Sequence, residues 1–296
     1  MKTFLLLVVC VVSWVASSAE DYMQEYDYSS EDYLEDYDFS INEDTSEEEE
    51  HNRTRRNAPL SDFHRTWDNY TDSDGNFIIP YVVEGNYTDD ELDLLFEEMD
   101  KIGNNTCVKF RELEDEEDYI EILNEEGKGC SSFVGRPGGR STILLESSKL
   151  RSCFTSRSIM HFLLSTVGLH KEHLREDRDK YIRVHTENIL AGYQHIFSTI
   201  TPDNAPTYNV PYDYLSIMHY GKDAYAKPGT VTIETVDPKY QEQIGMQDEP
   251  SENDYKKVCL MYNCETCMGK EMTTAQREEG RSMEYLNTTD IPGMLE

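Results

Sequence analysis

The chain has 296 residues, 59 acidic side chains against 27 basic ones, and a formal net charge of −32 at pH 7. That balance repels polyanions, which excludes nucleic acid and anionic membrane surfaces as partners. With 38% apolar residues and seven cysteines there is material for a disulfide-braced globular domain beside a long polar segment.

At the N-terminus, Lys2 is followed by an apolar run from Phe4 to Val15 and by the small residues Ser17, Ser18 and Ala19. This is the plan of a secretory signal peptide over 1–19, cut after Ala19. The run is too short to cross a hydrocarbon core of ~30 Å, and no second run of ~20 apolar residues follows, so no membrane anchor is expected. The protein is therefore expected to be secreted and extracellular.

Residues 20–52 hold fifteen carboxylates and five tyrosines but no Lys or Arg. Such a stretch cannot bury enough apolar surface to offset its ordering entropy, and it reads as disordered. Tyr22, Tyr26, Tyr28, Tyr33 and Tyr37 lie beside acids, a setting for sulfation; a plain solvating tail is the alternative. At 53–56 the sign flips to RTRR. Read as a convertase site, it makes 20–56 a pro-segment and Asn57 a new N-terminus, with an incidental basic patch as the bland reading.

Residues 57–265 have globular composition and suit one domain. FIIPYVV within 76–85 predicts a strand. The apolar spacing of Leu92, Leu94, Leu95, Met99 and Ile102 predicts a helix over 89–103. CVKFREL, DYIEIL and the two ends of 130–146 are further strands. Residues 156–167 are apolar nearly all round and predict a buried helix, with Ser156 or Ser158 as its cap. Strands before helices, then an irregular second half, describe an α+β domain. Residues 266–296 lack apolar periodicity and read as a loose tail.

Apart from Cys10, the cysteines are Cys107, Cys130, Cys153, Cys259, Cys264 and Cys267. An even number in a secreted chain reads as disulfides, while Cys264-x-x-Cys267 leaves a redox motif as a rival. Sequons at Asn69, Asn86, Asn104 and Asn287 are candidate glycosylation sites.

The chemistry concentrates in HFLLSTVGLHKEHLREDRD at 161–179 and in YDYLSIMHYG at 212–221. Together they resemble the astacin family of metzincin zinc endopeptidases, whose signature is H-E-x-x-H-x-x-G-x-x-H-E, then R-x-D-R-D, then S-x-M-H-Y. Gly168, Glu172, Arg175, Asp177, Arg178, Asp179, Ser216, Met218, His219 and Tyr220 match that pattern. VGRPGG at 134–139, ENI at 187–189 and Ser251 with Asp254 fall in the family's order. The resemblance spans roughly 57–264 and implies a metzincin fold of two lobes, a central buried helix and a turn carrying Met218.

It also implies a loss. His161 stands at the first zinc-ligand position, but Phe162 replaces the catalytic glutamate, Ser165 the second histidine and Lys171 the third. Zinc in a catalytic site needs three protein ligands and an open position. A hydroxyl is a poor substitute, an ammonium repels the metal, and a phenyl ring takes no proton from water. No cofactor is expected. The resemblance thus implies a pseudoprotease that keeps a cleft for an extended peptide or protein ligand and acts as a monomer. The alternatives are a weakly active zinc endopeptidase, with a rewired His161/His170/Tyr220 site, and a precursor whose product is the acidic tyrosine-rich peptide. Members that are activated seat a freed N-terminal amine beside the residue matching Glu172, which makes it a candidate N-terminal latch. The resemblance pairs Cys107 with Cys264 and Cys130 with Cys153, leaving Cys259 and Cys267 for a third bridge.

Overall fold

The computed structural model describes residues 66–149, 152–202 and 205–277. The expectations for the signal peptide, the acidic segment, the RTRR site, Asn57 and Asn287 fall outside them.

Strand β1 (Phe77–Glu84) leads into helix α1 (Asp89–Asn105). Thr88 caps α1 reciprocally: its hydroxyl accepts from Glu91 N, and the Glu91 carboxylate accepts from Thr88 N at 2.8 Å. Asp89, Asp90 and Glu91 occupy the first turn, where the helix dipole favours negative charge. The strands β2 (Val108–Glu112), β3 (Tyr119–Leu123), β4 (Cys130–Ser131) and β5 (Arg140–Leu145) complete a sheet of order β2-β1-β3-β5-β4, parallel except for β4 at the edge. Pro80 lies in the first half of β1, where β2 is the registered neighbour and β3 is not, so its missing N–H disturbs little.

Helix α2 (Ser156–Val167) packs against α1 and buries Ile159, Met160, Leu163, Leu164 and Val167. Its cap is Thr155, not Ser156 or Ser158: Thr155 is the residue still in extended conformation, and its hydroxyl accepts from Ser158 N at 3.1 Å. The last four carbonyls of a helix have no partner inside it, and here each is met. Leu164 and Ser165 accept from Gly168 N, Ser165 also from Gly135 N, Thr166 from Trp67 Nε1 at 2.9 Å and Val167 from the Tyr262 hydroxyl at 2.7 Å. Gly168 makes the exit possible with φ +127°.

The second half is irregular, as expected, with short 3₁₀ turns and a ribbon of β6 (Ile182–Val184) and β7 (Ile233–Thr235). It also contains a helix that periodicity did not reveal, α3 (Glu252–Met261), opened by a capping box between Ser251 and Asp254. The disulfides Cys107–Cys264, Cys130–Cys153 and Cys259–Cys267 all form. The third corrects the boundary of the tail. Strands β8 (Thr266–Cys267) and β9 (Lys270–Glu271) make a hairpin in which Cys267 is buried, and Met268 N donates to Asn105 O at the end of α1. No described helix is long and apolar enough to cross a membrane.

Candidate functional site

The site is built where α2, its exit and the turn at 212–221 meet. His161 and Ser165 are one helical turn apart on α2 and so face alike. His161 Nδ1 lies 3.1 Å from the Ile217 carbonyl. A carbonyl only accepts, so in the neutral ring Nδ1 carries the proton and Nε2 keeps its lone pair. Phe162 is half-buried and meets the His161 ring edge-on at 5.6 Å. Ser165 is 2% exposed. Ile217 and Met218 are buried in the main core cluster.

Beyond Gly168 the chain is tied to that turn, since Glu172 N donates to Met218 O at 3.0 Å. Lys171 is half-buried, its ammonium 5.7 Å from the centre of the Tyr220 ring. The same ring stacks on His173 at 4.0 Å. His173 is wholly buried with neither ring nitrogen hydrogen-bonded, so stacking holds it. Burial, then the nearby His219, Lys171, Arg178 and His161, push its pKa well below the ordinary histidine value. His219 is pinned as a neutral tautomer: Nδ1 faces the Tyr220 carbonyl at 2.7 Å, leaving Nε2 to accept from the Tyr212 hydroxyl at 2.8 Å. Burial is the main reason its pKa also falls. His185 sits half-buried beside Glu234, and His195 is exposed on a 3₁₀ turn.

Glu172 is 2% exposed, which rules out an ordinary surface glutamate. Its Oε1 accepts from Asp213 N at 2.8 Å and Arg175 Nη1 at 3.2 Å, and its Oε2 from Lys257 Nζ. Arg175 is itself held in fork fashion by Asp177 at 2.9 and 3.0 Å. Arg178 donates to the carbonyls of His173 and Phe197. A small pocket opens beside Glu172, lined also by His170, Lys171, Lys257, Leu174 and Met261. His170 thus lines this cavity, while His161 is anchored to the Ile217 carbonyl.

Sequence reasoning assigned no role to three members of this frame. Asp254 accepts from Ser216 Oγ at 2.6 Å, Ile217 N at 3.1 Å and Ser251 N at 2.9 Å, joining the α3 cap to the methionine turn; burial raises its pKa. Asp213 accepts from Ser251 Oγ at 2.6 Å. Lys257 reaches Glu172 from α3. The Ser251-x-x-Asp254 spacing announces a capping box, but nothing in the sequence pairs Lys257 with a residue 85 positions earlier. Gly245 closes the assembly: a Cβ there would stand 2.2 Å from Gly221 N.

Of the sequon residues, Asn69, Asn86 and Asn104 are exposed. Among the described residues, no three His, Cys, Asp or Glu side chains stand where they could share a metal ion.

An α+β domain with a buried helix over a methionine turn is the plan of the metzincin proteases. Residues 63–263 match the family model for Astacin, a peptidase family. The chain is 42% identical over 237 residues to zinc metalloproteinase nas-5 of Caenorhabditis elegans, covering 80% of this chain and 66% of that protein. Against the low choriolytic enzyme of Oryzias latipes the identity is 34% over 192 residues, 65% of this chain and 68% of that one. The solved structure of high choriolytic enzyme 1, a hatching enzyme zinc-protease from the same fish, matches with a TM-score of 0.61 at 31% identity, covering 69% of this chain and 96% of that chain. The chain belongs to the astacin family. It spans less than two thirds of the nematode relatives it matches, 66% of nas-5 and 57% of nas-6.

Proposed function

We propose that this is a secreted, catalytically inactive member of the astacin family that keeps the peptide-binding cleft. The observation that carries the reading is the donor set on and after α2. His161 is the one imidazole at the signature positions, and Phe162, Ser165 and Lys171 fill the others. These residues do not fit a catalytic zinc ion. One histidine cannot supply three ligands, Lys171 brings positive charge to the place, and Phe162 offers no base. The losses agree with one another: an unpaired glutamate at 162 without a metal would be a costly half-buried charge.

The cleft binds an extended peptide or protein segment, with the short edge strand β4 free to add a strand. Secretion follows from the 1–19 segment, and the net charge of −32 keeps nucleic acid and anionic membranes away. The protein acts as a monomer and takes up no zinc in this reading. Glu172 is the candidate seat for a freed N-terminal amine, Tyr220 a packing residue, and Asn69, Asn86, Asn104 and Asn287 carry glycans.

A weakly active zinc endopeptidase is the competing reading. It is favoured by the relatives named as zinc metalloproteinases and by the lone pair that the Ile217 contact leaves on His161 Nε2. Protein expressed with zinc and purified without chelator separates the two. Far less than one zinc per chain is expected, with casein cleavage no faster than in His161→Ala. Stoichiometric zinc, with cleavage abolished by His161→Ala, would falsify the inactive reading.

A further inference from the structure

We infer that the C-terminal end of β1 is a second docking surface. It takes an extended segment of another protein by strand addition, with apolar side chains in a groove and Lys or Arg on either side of them.

The sheet leaves an edge open there. Leu113 N donates to Tyr81 O at 2.8 Å from the β2 side, and Asn124 N to Glu84 O at 3.0 Å from the β3 side. Backbone groups alternate sides along a strand, so those of Val83 face the β2 side. By then β2 has ended, its last registered pair being Glu112 with Tyr81. Among the described residues nothing pairs with the Val83 N–H and C=O on that side. A groove of about 510 Å³ runs along this edge. Tyr81, Val83, Tyr87, Leu92, Phe96 and Leu113, all half-buried, form its apolar wall. An unpaired edge beside apolar side chains is the arrangement that adds a strand: main-chain hydrogen bonds hold the guest, and its alternate side chains enter the groove.

Charge selects the guest. Glu84 and Glu112 line the groove, both are exposed, and neither joins an ion pair among the described residues. No Lys or Arg is among the lining residues. The carboxylates of the chain's own 20–52 stretch are therefore repelled, whereas a basic segment is attracted. The groove shares no residue with the site at His161, and β3 and β5 separate β1 from the edge strand β4. Its occupancy therefore does not depend on zinc or on a ligand at β4.

The probe is a random heptapeptide library, N-acetylated and C-amidated, passed over the immobilised full chain, with the retained peptides sequenced. They should carry Val, Ile, Tyr or Phe at alternate positions with Lys or Arg outside them, and should be held less tightly as salt rises. Glu84→Lys combined with Glu112→Lys should lower their retention about tenfold or more, because like charges then face each other. Val83→Pro removes the unpaired N–H and no ladder bond, and should weaken retention by a similar factor. Thermal unfolding confirms that the variants fold; where Val83→Pro does not, the charge pair decides alone. Retention unchanged in the folded charge pair overturns the inference, as do retained peptides without this pattern or a library that is not retained at all. A dimer of the chain that the charge pair dissociates also overturns it, since a second copy would then fill the groove. Retention seen only in Asn86→Gln does the same, giving the groove to a glycan at that sequon.

Discussion

The buried frame around Glu172 and the half-buried face around His161 are built on opposite principles. In the frame, Glu172, Arg175, Lys257, Asp213 and Asp254 are all within 9% of full burial, and hydrogen bonds tie them to one another or to neighbouring segments across stretches of 35 to 85 residues. On the face, His161, Phe162 and Lys171 are half-buried, and their contacts include a carbonyl at His161 Nδ1 and the rings of Phe162 and Tyr220. A buried charge whose partner is removed becomes a large liability, so a frame residue cannot drift alone. A half-buried face residue can be exchanged at little cost to folding. The comparison teaches that the signature positions on the face and the residues that tie the methionine turn to α2 and α3 are different sets, so one set can change while the other persists.

If that division is right, the face can be rebuilt on the existing frame. Phe162→Glu, Ser165→His and Lys171→His together should raise zinc from far below one to about one per chain, the largest change expected here. Ser165 is 2% exposed, so the added ring costs some overpacking, on the order of 1–3 kcal/mol, which metal binding can offset. A folded triple variant that still takes up no zinc would show that the frame has lost its geometry too. The frame itself is tested by Glu172→Gln. It leaves Lys257 buried without its counter-charge and should cost roughly 3–5 kcal/mol, read as a fall in the urea midpoint. Lys257→Met should cost a similar amount, and the double variant less than the sum because the partners are lost together. A loss for Glu172→Gln below about 1 kcal/mol would mean that the frame is no firmer than the face.

Much of this was legible beforehand, for identifiable reasons. The strands and α1 showed themselves because apolar alternation and the 3.6-residue stripe of Leu95, Met99 and Ile102 are local signals. The position of α2 was clear, but its cap lay one residue upstream of Ser156, because Thr155, Ser156 and Ser158 are all cap-competent and blur the boundary. By contrast, α3 has charged and apolar residues in weak periodicity and is fixed by long-range ties, through Asp254 to the turn and Lys257 to Glu172. The hairpin after Cys264 was hidden likewise: four strand residues carry no pattern, and a disulfide with a contact to Asn105 places them. On the face, the identities of Phe162, Ser165 and Lys171 were plain, whereas the stacking of His173 on Tyr220 was not.

His173 offers a finer test, since it belongs to the frame by burial and to the face by contact. A base whose native pKa lies below its unfolded value near 6.5 leaves the unfolded chain as the better proton binder between the two values. Its contribution to stability is therefore complete above pH ~6.5 and is lost as pH falls through the window beneath, by up to about 1.4 kcal/mol per pH unit. His219 adds to the same slope. His173→Phe keeps a ring to stack on Tyr220 and removes one of the two titrating groups. Urea midpoints between pH 6.5 and 5 should fall less steeply in His173→Phe than in the unmodified protein. An equal slope would mean that His173 gains a proton in the native state as easily as in the unfolded one.

The smallest effect is expected at Lys171. Lys171→Met removes one half-buried ammonium near the Tyr220 ring and leaves the backbone contacts of residues 171 and 172 in place, Leu174 N to Lys171 O at 3.1 Å and Glu172 N to Met218 O at 3.0 Å. The side chain gives up a cation–π attraction of about 0.5–1 kcal/mol at a site of this exposure. Methionine restores part of that through its own sulfur–aromatic contact and similar length. The net change in unfolding free energy should stay within about 0.5 kcal/mol, against the several expected for Glu172→Gln one residue away. Chemical denaturation of the two variants side by side measures the contrast directly. A loss of about 2 kcal/mol or more, by the usual scale for disrupted buried networks, would place Lys171 in the frame and not on the face. Its charge would then be there to hold the fold.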